Sequence, residues 1–182
     1  MKRDPQTPGR DKVGYPVYHA VIVLAVGLTA GLLDQISKWI AVSLLAPGRP
    51  LQLVPGFFEL QLRANPHGAF GLFANLPDDL RLPVLLALGM LAILAIVTFA
   101  VRTLGWSRTT SISLGLILGG AISNLADRLA RGEVMDFIDV SWAGRAHWPT
   151  FNLADMSITA GSLILVGYLY RSWRRRPREE EA

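Results

Sequence analysis

The 182-residue chain contains no cysteine. Disulfides, cysteine nucleophiles and thiolate metal sites are therefore excluded. Histidine is scarce too. His19, His67 and His147 stand far apart, at no spacing that brings two onto one face, so metal ligation by them is not expected. No serine has a His or Lys base at a recognisable spacing. Charge is also sparse. Charged residues make up 18% of the chain and hydrophobic ones 51%, with mean hydropathy +0.35. Soluble domains are usually less apolar and more charged than this.

What is present is a set of long uncharged runs. Tyr15 to Leu33 gives 19 residues without a charge, Leu82 to Val101 gives 20, and Thr109 to Ala126 gives 18. A spanning helix needs about 20, so all three qualify. Met156 to Tyr170 is only 15 residues long and reaches spanning length only by taking Asp155 into its first turns. An ionisable group inside a span is costly and points to function. The first run is too long for the apolar core of a cleavable signal peptide and has no clear small-x-small cleavage site before Asp34, so it reads as a retained helix.

Charge placement sets the expected topology. Lys2, Arg3, Arg10 and Lys12 precede the first span, Arg102 and Arg108 lie between the second and third, and Arg171, Arg174, Arg175, Arg176 and Arg178 follow the fourth. The positive-inside rule puts all three segments in the cytoplasm, with both termini inside. This juxtamembrane pattern already explains the arginine run, so nucleic acid is not an expected partner. Tyr15, Tyr18, Trp39, Trp106, Trp142, Trp148 and Trp173 sit near the predicted interfaces, as belt residues do.

The expected fold is an all-α membrane protein with four transmembrane helices and a small exterior β-element between helices one and two. The whole chain, 1–182, reads as a single integral-membrane domain with no internal repeat. Residues 1–14 and 174–182 are its cytoplasmic tails, 47–80 an exterior β-containing loop, and 133–150 a second exterior loop. Helix one is predicted over Tyr15–Leu45, helix two over Leu80–Val101, helix three over Thr109–Arg131 with a stop at Gly132, and helix four over Asn152–Trp173. Phe58, Leu60 and Leu62 alternate with Glu59, Gln61 and Arg63, a half-buried strand, bounded by Pro55-Gly56 and Asn65-Pro66 turns. Val134, Ile138 and Val140 are strand-like, whereas Asp136 is expected on an irregular segment just after helix three. Gly115-x-x-x-Gly119 is a close-packing pattern.

On this topology the polar residues converge. Helix one runs outward and carries Asp34 and Lys38 near its exterior end, about 28 Å along. Helix three also runs outward and ends in Asn124, Asp127 and Arg128, which share a face at i, i+3 and i+4. Helix four runs inward, so Asn152 and Asp155 lie at its exterior end, Asp155 about 6 Å below the first turn. Asp34/Lys38 and Asp127/Arg128 are expected as ion pairs pinning helices. Asp136 and Asp155 have no basic residue at hand on helix four, and only Arg145 in the 133–150 loop. Two carboxylates held close share a proton; one then serves as general base on water while the other polarises a carbonyl. A proton- or ion-coupled transporter would place its carboxylates near mid-membrane, not crowded at one edge.

These residues resemble a known family. Gly119-Gly120-Ala121-Ile122-Ser123-Asn124-Leu125-Ala126-Asp127-Arg128, followed by Gly132-Glu133-Val134-Met135-Asp136-Phe137, resembles the G-G-A-x-x-N-x-x-D-R and G-x-V-x-D-F signature of the lipoprotein signal peptidases, or signal peptidase II. Phe151-Asn152-Leu153-Ala154-Asp155 is similar to that family's F-N-x-A-D motif, and Asp34 with Lys38 to its D-x-x-x-K motif. The resemblance implies an aspartic endopeptidase of the bacterial cytoplasmic membrane that needs no cofactor or metal. It would cut prolipoproteins before a diacylglyceryl-modified cysteine. It implies Asp136 and Asp155 as the catalytic dyad, and Asn65 as a substrate-contacting asparagine. Asn124, Arg128 and Asn152 would line the site, and Asp34, Lys38 and Asp127 would support it. The implied partners are lipidated prolipoprotein and membrane lipid, with the enzyme a monomer. One stretch departs from the pattern. Where the family usually reads N-x-G-A-A-F, this chain has Asn65-Pro66-His67-Gly68-Ala69-Phe70. Either the permissive glycine is shifted by one residue, or His67 titrates against substrate.

Overall fold

The structure, a computed structural model, describes residues 14–68, 71–103, 107–142 and 146–175. Lys2, Arg3, Arg10, Lys12, Ala69, Phe70, Trp106, Arg145 and the tail from Arg176 on lie outside the described residues. Four long helices and four strands follow in the order α1 (Gly14–Leu44), β1 (Leu51–Val54), β2 (Phe58–Asn65), α2 (Asp78–Thr103), α3 (Arg108–Arg131), β3 (Val134–Trp142), β4 (Ala146–His147) and α4 (Leu153–Arg175). All four helices are long and apolar enough to cross a membrane.

Helix α3 is the central one. Of its most apolar stretch 56% is buried, against 11% for α1 and α4 and 6% for α2, so three helices surround α3 and turn their other faces outward. Glycine makes this possible. A Cβ on Gly115 would lie 2.7 Å from the Val26 Cβ, and one on Gly119 would lie 2.9 Å from the Gly27 Cα, so α1 and α3 meet backbone to backbone. On the other side a Cβ on Gly120 would press on the Ala154 carbonyl of α4 at 2.5 Å. The Gly115-x-x-x-Gly119 pattern is thus a contact with α1, the close approach that small residues permit between spans. α3 starts at a Ser107 cap that exchanges hydrogen bonds with Thr110, and it stops at Gly132, left-handed at φ +78°, whose N–H donates to the Arg128 carbonyl.

The β-element between α1 and α2 is larger than its local sequence indicates. β1 and β2 form a hairpin around Pro55-Gly56, where Gly56 takes φ +72° and the Phe57 N–H donates to the Val54 carbonyl. β2 then pairs antiparallel with β3, from the other side of α3, and β4 completes a four-stranded sheet of order β1-β2-β3-β4. Asp136 therefore lies within a regular strand, not on an irregular segment. Strand β3 is buried along most of its length, unlike the fully exposed β1. Its Phe137 and Ile138 join Ala41 and Leu45 at the end of α1 in one apolar cluster, flanked by Phe58, Leu60, Leu62, Val140, Phe151 and Leu153. This cluster seats the sheet on the bundle and fixes the height of β3 above α4.

Replacing Gly119 by alanine is expected to destabilise the folded protein by about 1–3 kcal/mol, the usual cost of overpacking a tight contact. Gly167→Ala in α4, where a Cβ would meet nothing within 4 Å, is the control and is expected to be neutral or mildly stabilising. Thermal unfolding in detergent compares the two; equal melting temperatures would show that the α1–α3 contact is not close.

Candidate active site

The start of α4 is where the site is assembled. The residue before Asn152, Phe151, forms an isolated antiparallel bridge with Ile138 of β3. Its carbonyl accepts from the Phe137 and Ile138 N–H groups at 3.1 and 2.9 Å, and its N–H donates to the Ile138 carbonyl at 3.0 Å. Asp136 precedes Phe137 and Asn152 follows Phe151, so this bridge brings the two polar residues side by side. Asn152 caps α4. Its Oδ1 accepts from the Asp155 N–H at 3.0 Å, while the Asp155 carboxylate accepts from the Asn152 N–H at 3.3 Å. This reciprocal pair is a capping box with asparagine and aspartate in its two places. Asp155 thus has a structural role that its sequence position already signals: it is the third residue of a helix whose cap is Asn152.

The same asparagine joins the two carboxylates. Its side-chain Nδ2 donates to Asp136 Oδ1 at 2.6 Å. Among the described residues the aspartates share no direct hydrogen bond; Asn152 spans them, with its side chain on Asp136 and its backbone on Asp155. Each carboxylate has one more amide donor. Asn65 Nδ2 reaches Asp136 Oδ2 at 2.9 Å, and Asn124 Nδ2 reaches Asp155 Oδ1 at 2.9 Å. The Asn65 contact follows from the β2–β3 register. Arg63 lies opposite Asp136 and Asn65 opposite Val134, so Asn65 and Asp136 are diagonal neighbours on one face. Asp136 is almost wholly buried, 1% exposed. Burial is the largest influence on its carboxyl, and with the nearby Asp155 charge it raises the pKa to about 6 against the opposing pull of Asn65, Asn152 and Lys38.

Below the aspartates lies a charged cluster with no solvent exposure. Lys38 and Asp34 are each 0% exposed, and Lys38 Nζ pairs at 2.7 Å with both Asp34 Oδ2 and Asp127 Oδ2. The same Nζ donates to Asn124 Oδ1 at 2.9 Å, so the ammonium has three polar partners; the 2.7 Å contact with Asp127 Oδ2 is an ion pair without hydrogen-bond geometry. The expected Asp34/Lys38 pair is present. Asp127, in contrast, turns to Lys38 across the α1–α3 contact and forms no ion pair with its neighbour Arg128. Asp34 also does a second thing: its Oδ1 accepts from the Ala154 N–H at 2.8 Å, so a residue of α1 satisfies a free amide at the start of α4. Arg128 lies within electrostatic reach of Asp155, Asp136 and Asp127, and its buried Nε has no hydrogen-bond partner among the described residues. A cation therefore does stand near Asp155, supplied by α3 and not by α4.

All nine residues singled out in the sequence fall at this one end of the bundle. Sequence reasoning passed over Ser123, whose Oγ donates to Asp34 Oδ2 at 2.7 Å. It also passed over Gln35, whose Nε2 donates to Asp127 Oδ1 at 3.0 Å and to Ser123 Oγ at 2.9 Å. The available signal was adjacency: Gln35 follows Asp34, and Ser123 lies four residues before Asp127 on the same face. In the divergent loop Gly68 takes φ +77°, and a Cβ there would lie 2.9 Å from Leu85 of α2. The permissive glycine is thus at Gly68, one residue later than in the family pattern. His67 contributes its backbone N–H, which donates to Asn65 Oδ1 at 3.2 Å and turns the Asn65 amide toward Asp136. Among the described residues no group of three or more His, Asp or Glu side chains is placed to hold a metal ion.

The geometry has counterparts among known proteins. The family described as signal peptidase (SPase) II matches residues 26–171. The lipoprotein signal peptidase of Aquifex aeolicus is 42% identical over 147 residues, covering 81% of this chain and 84% of that protein. Its counterpart in Geobacter metallireducens is 35% identical over 158 residues, covering 87% and 94%, and that of Burkholderia thailandensis is 41% identical over 143 residues, covering 79% and 84%. Among solved structures, a bacterial membrane enzyme determined by the in meso method at 2.3 Å resolution superposes with a TM-score of 0.72 at 23% identity, covering 97% of this chain and 100% of that one. A second bacterial membrane enzyme, at 1.9 Å resolution, gives 0.68 at 24% identity, covering 90% and 97%. These two likenesses concern the fold alone, whereas the family match and the curated relatives together settle membership: the chain belongs to the signal peptidase II family.

Proposed function

We propose that the chain is an aspartic endopeptidase that removes signal peptides from prolipoproteins, with Asp136 and Asp155 as its catalytic pair. It cuts before a diacylglyceryl-modified cysteine. The observation that carries the assignment of roles is the Asn152 bridge: one residue holds a carboxylate from β3 and a carboxylate from α4 together in a buried site.

Charge explains how the pair works. Asp34, Asp127, Asp136 and Asp155 face two cations, Lys38 and Arg128. A low-dielectric site does not hold that surplus of negative charge without a proton, and two neighbouring carboxylates share it. In the reaction the ionised aspartate takes a proton from water as the water oxygen bonds to the scissile carbonyl carbon. The protonated aspartate gives its proton to the carbonyl oxygen. The tetrahedral intermediate then collapses: the aspartate that took the water proton passes it to the leaving nitrogen as the C–N bond breaks, and one hydroxyl of the intermediate returns its proton to the other aspartate as the C=O bond re-forms. Asn65 and Arg128 are placed to meet substrate, with Asn124 and Asn152 holding the pair and Asp34, Lys38 and Asp127 supporting them.

The whole chain acts as one integral-membrane domain and as a monomer. Arg102, Arg108, Arg171 and Arg174 mark the cytoplasmic side, so both termini are cytoplasmic and the sheet and site lie at the exterior face. Substrate and its lipid enter sideways from the bilayer. Helix α2 packs on α3, and among the described residues its backbone does not come close to that of α4, which leaves that flank for entry. No metal or organic cofactor takes part.

Asp136→Asn and Asp155→Asn are each expected to abolish cleavage of a lipidated prolipoprotein in detergent, with the protein still folded and inserted. Mass spectrometry reads the product, which should begin at the lipidated cysteine; full activity in either variant would overturn the pair. A second expectation follows from the raised pKa. Between its ordinary value and about 6, the folded state holds the Asp136 proton more tightly than the unfolded chain does. This group therefore favours the fold at low pH, and the contribution is lost as pH rises through about 6. On acidification from about pH 7 to about pH 4, the stability of the parent relative to Asp136→Asn should rise by roughly 2–3 kcal/mol. A gap that stays constant across that range in detergent melts would show that Asp136 does not titrate there.

A further inference from the structure

We propose that Lys38 is a positioning residue for the aspartate pair, orienting the Asn124 amide toward Asp155 and supplying the positive charge that keeps one aspartate of the pair ionised. The inference rests on the catalytic roles proposed above for Asp136 and Asp155.

The orientation argument uses hydrogen-bond polarity. Asn124 Oδ1 receives the Lys38 ammonium at 2.9 Å and the Asn152 Nδ2 at 3.3 Å. Both are donors with no acceptor capacity. An Asn124 amide turned the other way would set its NH2 against an ammonium, so the oxygen has to face Lys38. The NH2 then has to face Asp155 Oδ1, which it does at 2.9 Å. Lys38 thereby dictates which end of Asn124 the carboxylate meets, although it does not touch the carboxylate itself.

The charge argument uses burial. Lys38 is 0% exposed, so its field is not screened by water as a surface charge would be. The charged and titratable groups around it come from four elements of the site: Asp34 on α1, Asp127 and Arg128 on α3, Asp136 on β3 and Asp155 on α4. Asp34 and Asp127 contact the ammonium directly and between them outweigh its charge. A purely structural pin needs one carboxylate partner, not two plus an amide that leads on to the reacting pair. Lys38 also counts among the influences that lower the Asp136 pKa against burial. Its positive charge favours the ionised form of the pair, and Asp127 attenuates it.

The test is the pH dependence of kcat/KM for cleavage of a lipidated prolipoprotein by the full-length protein in detergent, read in three variants. Lys38→Gln keeps an NH2 that can donate to Asn124 but removes the charge, and should move the acid limb up by about 1 pH unit, the low end for loss of a nearby opposite charge. Below that limb its rate should fall about tenfold relative to the parent. Asp127→Asn removes a counter-charge and should move the limb down. Lys38→Arg keeps the charge and should leave the limb in place, even where the yield of folded protein drops. Opposite shifts from Lys38→Gln and Asp127→Asn support the proposal; a merely structural role would lower the amplitude of both and move neither limb. Unmoved limbs, shifts in the same direction, or Lys38→Arg displaced as far as Lys38→Gln would overturn it. Where Lys38→Gln does not fold, Asp127→Asn decides alone: a downward shift supports the proposal and an unmoved limb overturns it. The two levels fail separately. Activity in Asp136→Asn or Asp155→Asn removes the catalytic reading, while unmoved limbs with both of those variants silent remove only the role of Lys38.

Discussion

The first N–H groups of α4 lie inside the protein and have to be satisfied there. A helix leaves its first four amides without intrahelical partners, and a buried one without an acceptor costs free energy on the order of 1–3 kcal/mol. Here the Asp155 amide goes to Asn152 and the Ala154 amide goes to Asp34. Much of the remaining structure follows from the second choice. Asp34 is a buried carboxylate, so it needs a cation, and Lys38 one turn along α1 supplies it. Lys38 also pairs with Asp127 and donates to Asn124, both of α3. Ser123 and Gln35 donate in turn to Asp34 and Asp127. Solving one helix end thus locks α1, α3 and α4 together at a single height.

The locking and the chemistry use the same atoms. Asn152 closes the cap of α4 and also holds Asp136; Asn124 completes the shell of Lys38 and also holds Asp155. Asp155 is at once the acid of a capping box and, on the proposed roles, half of the reacting pair. Such sharing makes the site rigid, because no side chain in it turns without breaking a bond that the fold requires. It also draws the two aspartates from different kinds of element: Asp155 from the first turn of a helix, Asp136 from a strand buried on both faces.

The four spans were legible because length and apolarity suffice to recognise them. Gly132 was legible as a helix stop, and Pro55-Gly56 as a turn, because each conformation needs a left-handed glycine. What local reading lacked was pairing across distance. β2 and β3 are separated in sequence by two whole spans, so nothing near Asp136 announces that Arg63 lies opposite it. An Asp136 read without its partner strand looks irregular; paired, it is one face of a ladder. The switch of Asp127 from Arg128 to Lys38 was invisible for the same reason, since side-chain spacing along one helix says nothing about what a neighbouring helix brings. The shift of the loop glycine was visible as a departure, but the φ of Gly68 and its fit under Leu85, which make it the permissive position, were not.

Charge count links the fold to the reaction. Asp34, Asp127, Asp136 and Asp155 outnumber the buried cations beside them, and two neighbouring carboxylates that do not both ionise share a proton. Lys38 and Arg128 are held in different ways. Lys38 is held between three partners, whereas the buried Arg128 Nε has no hydrogen-bond partner among the described residues. On the proposed roles, the guanidinium with a donor to spare near the two aspartates is the group that meets an incoming peptide carbonyl, while the ammonium beneath it, held by three partners, acts through its field and through the amide it orients.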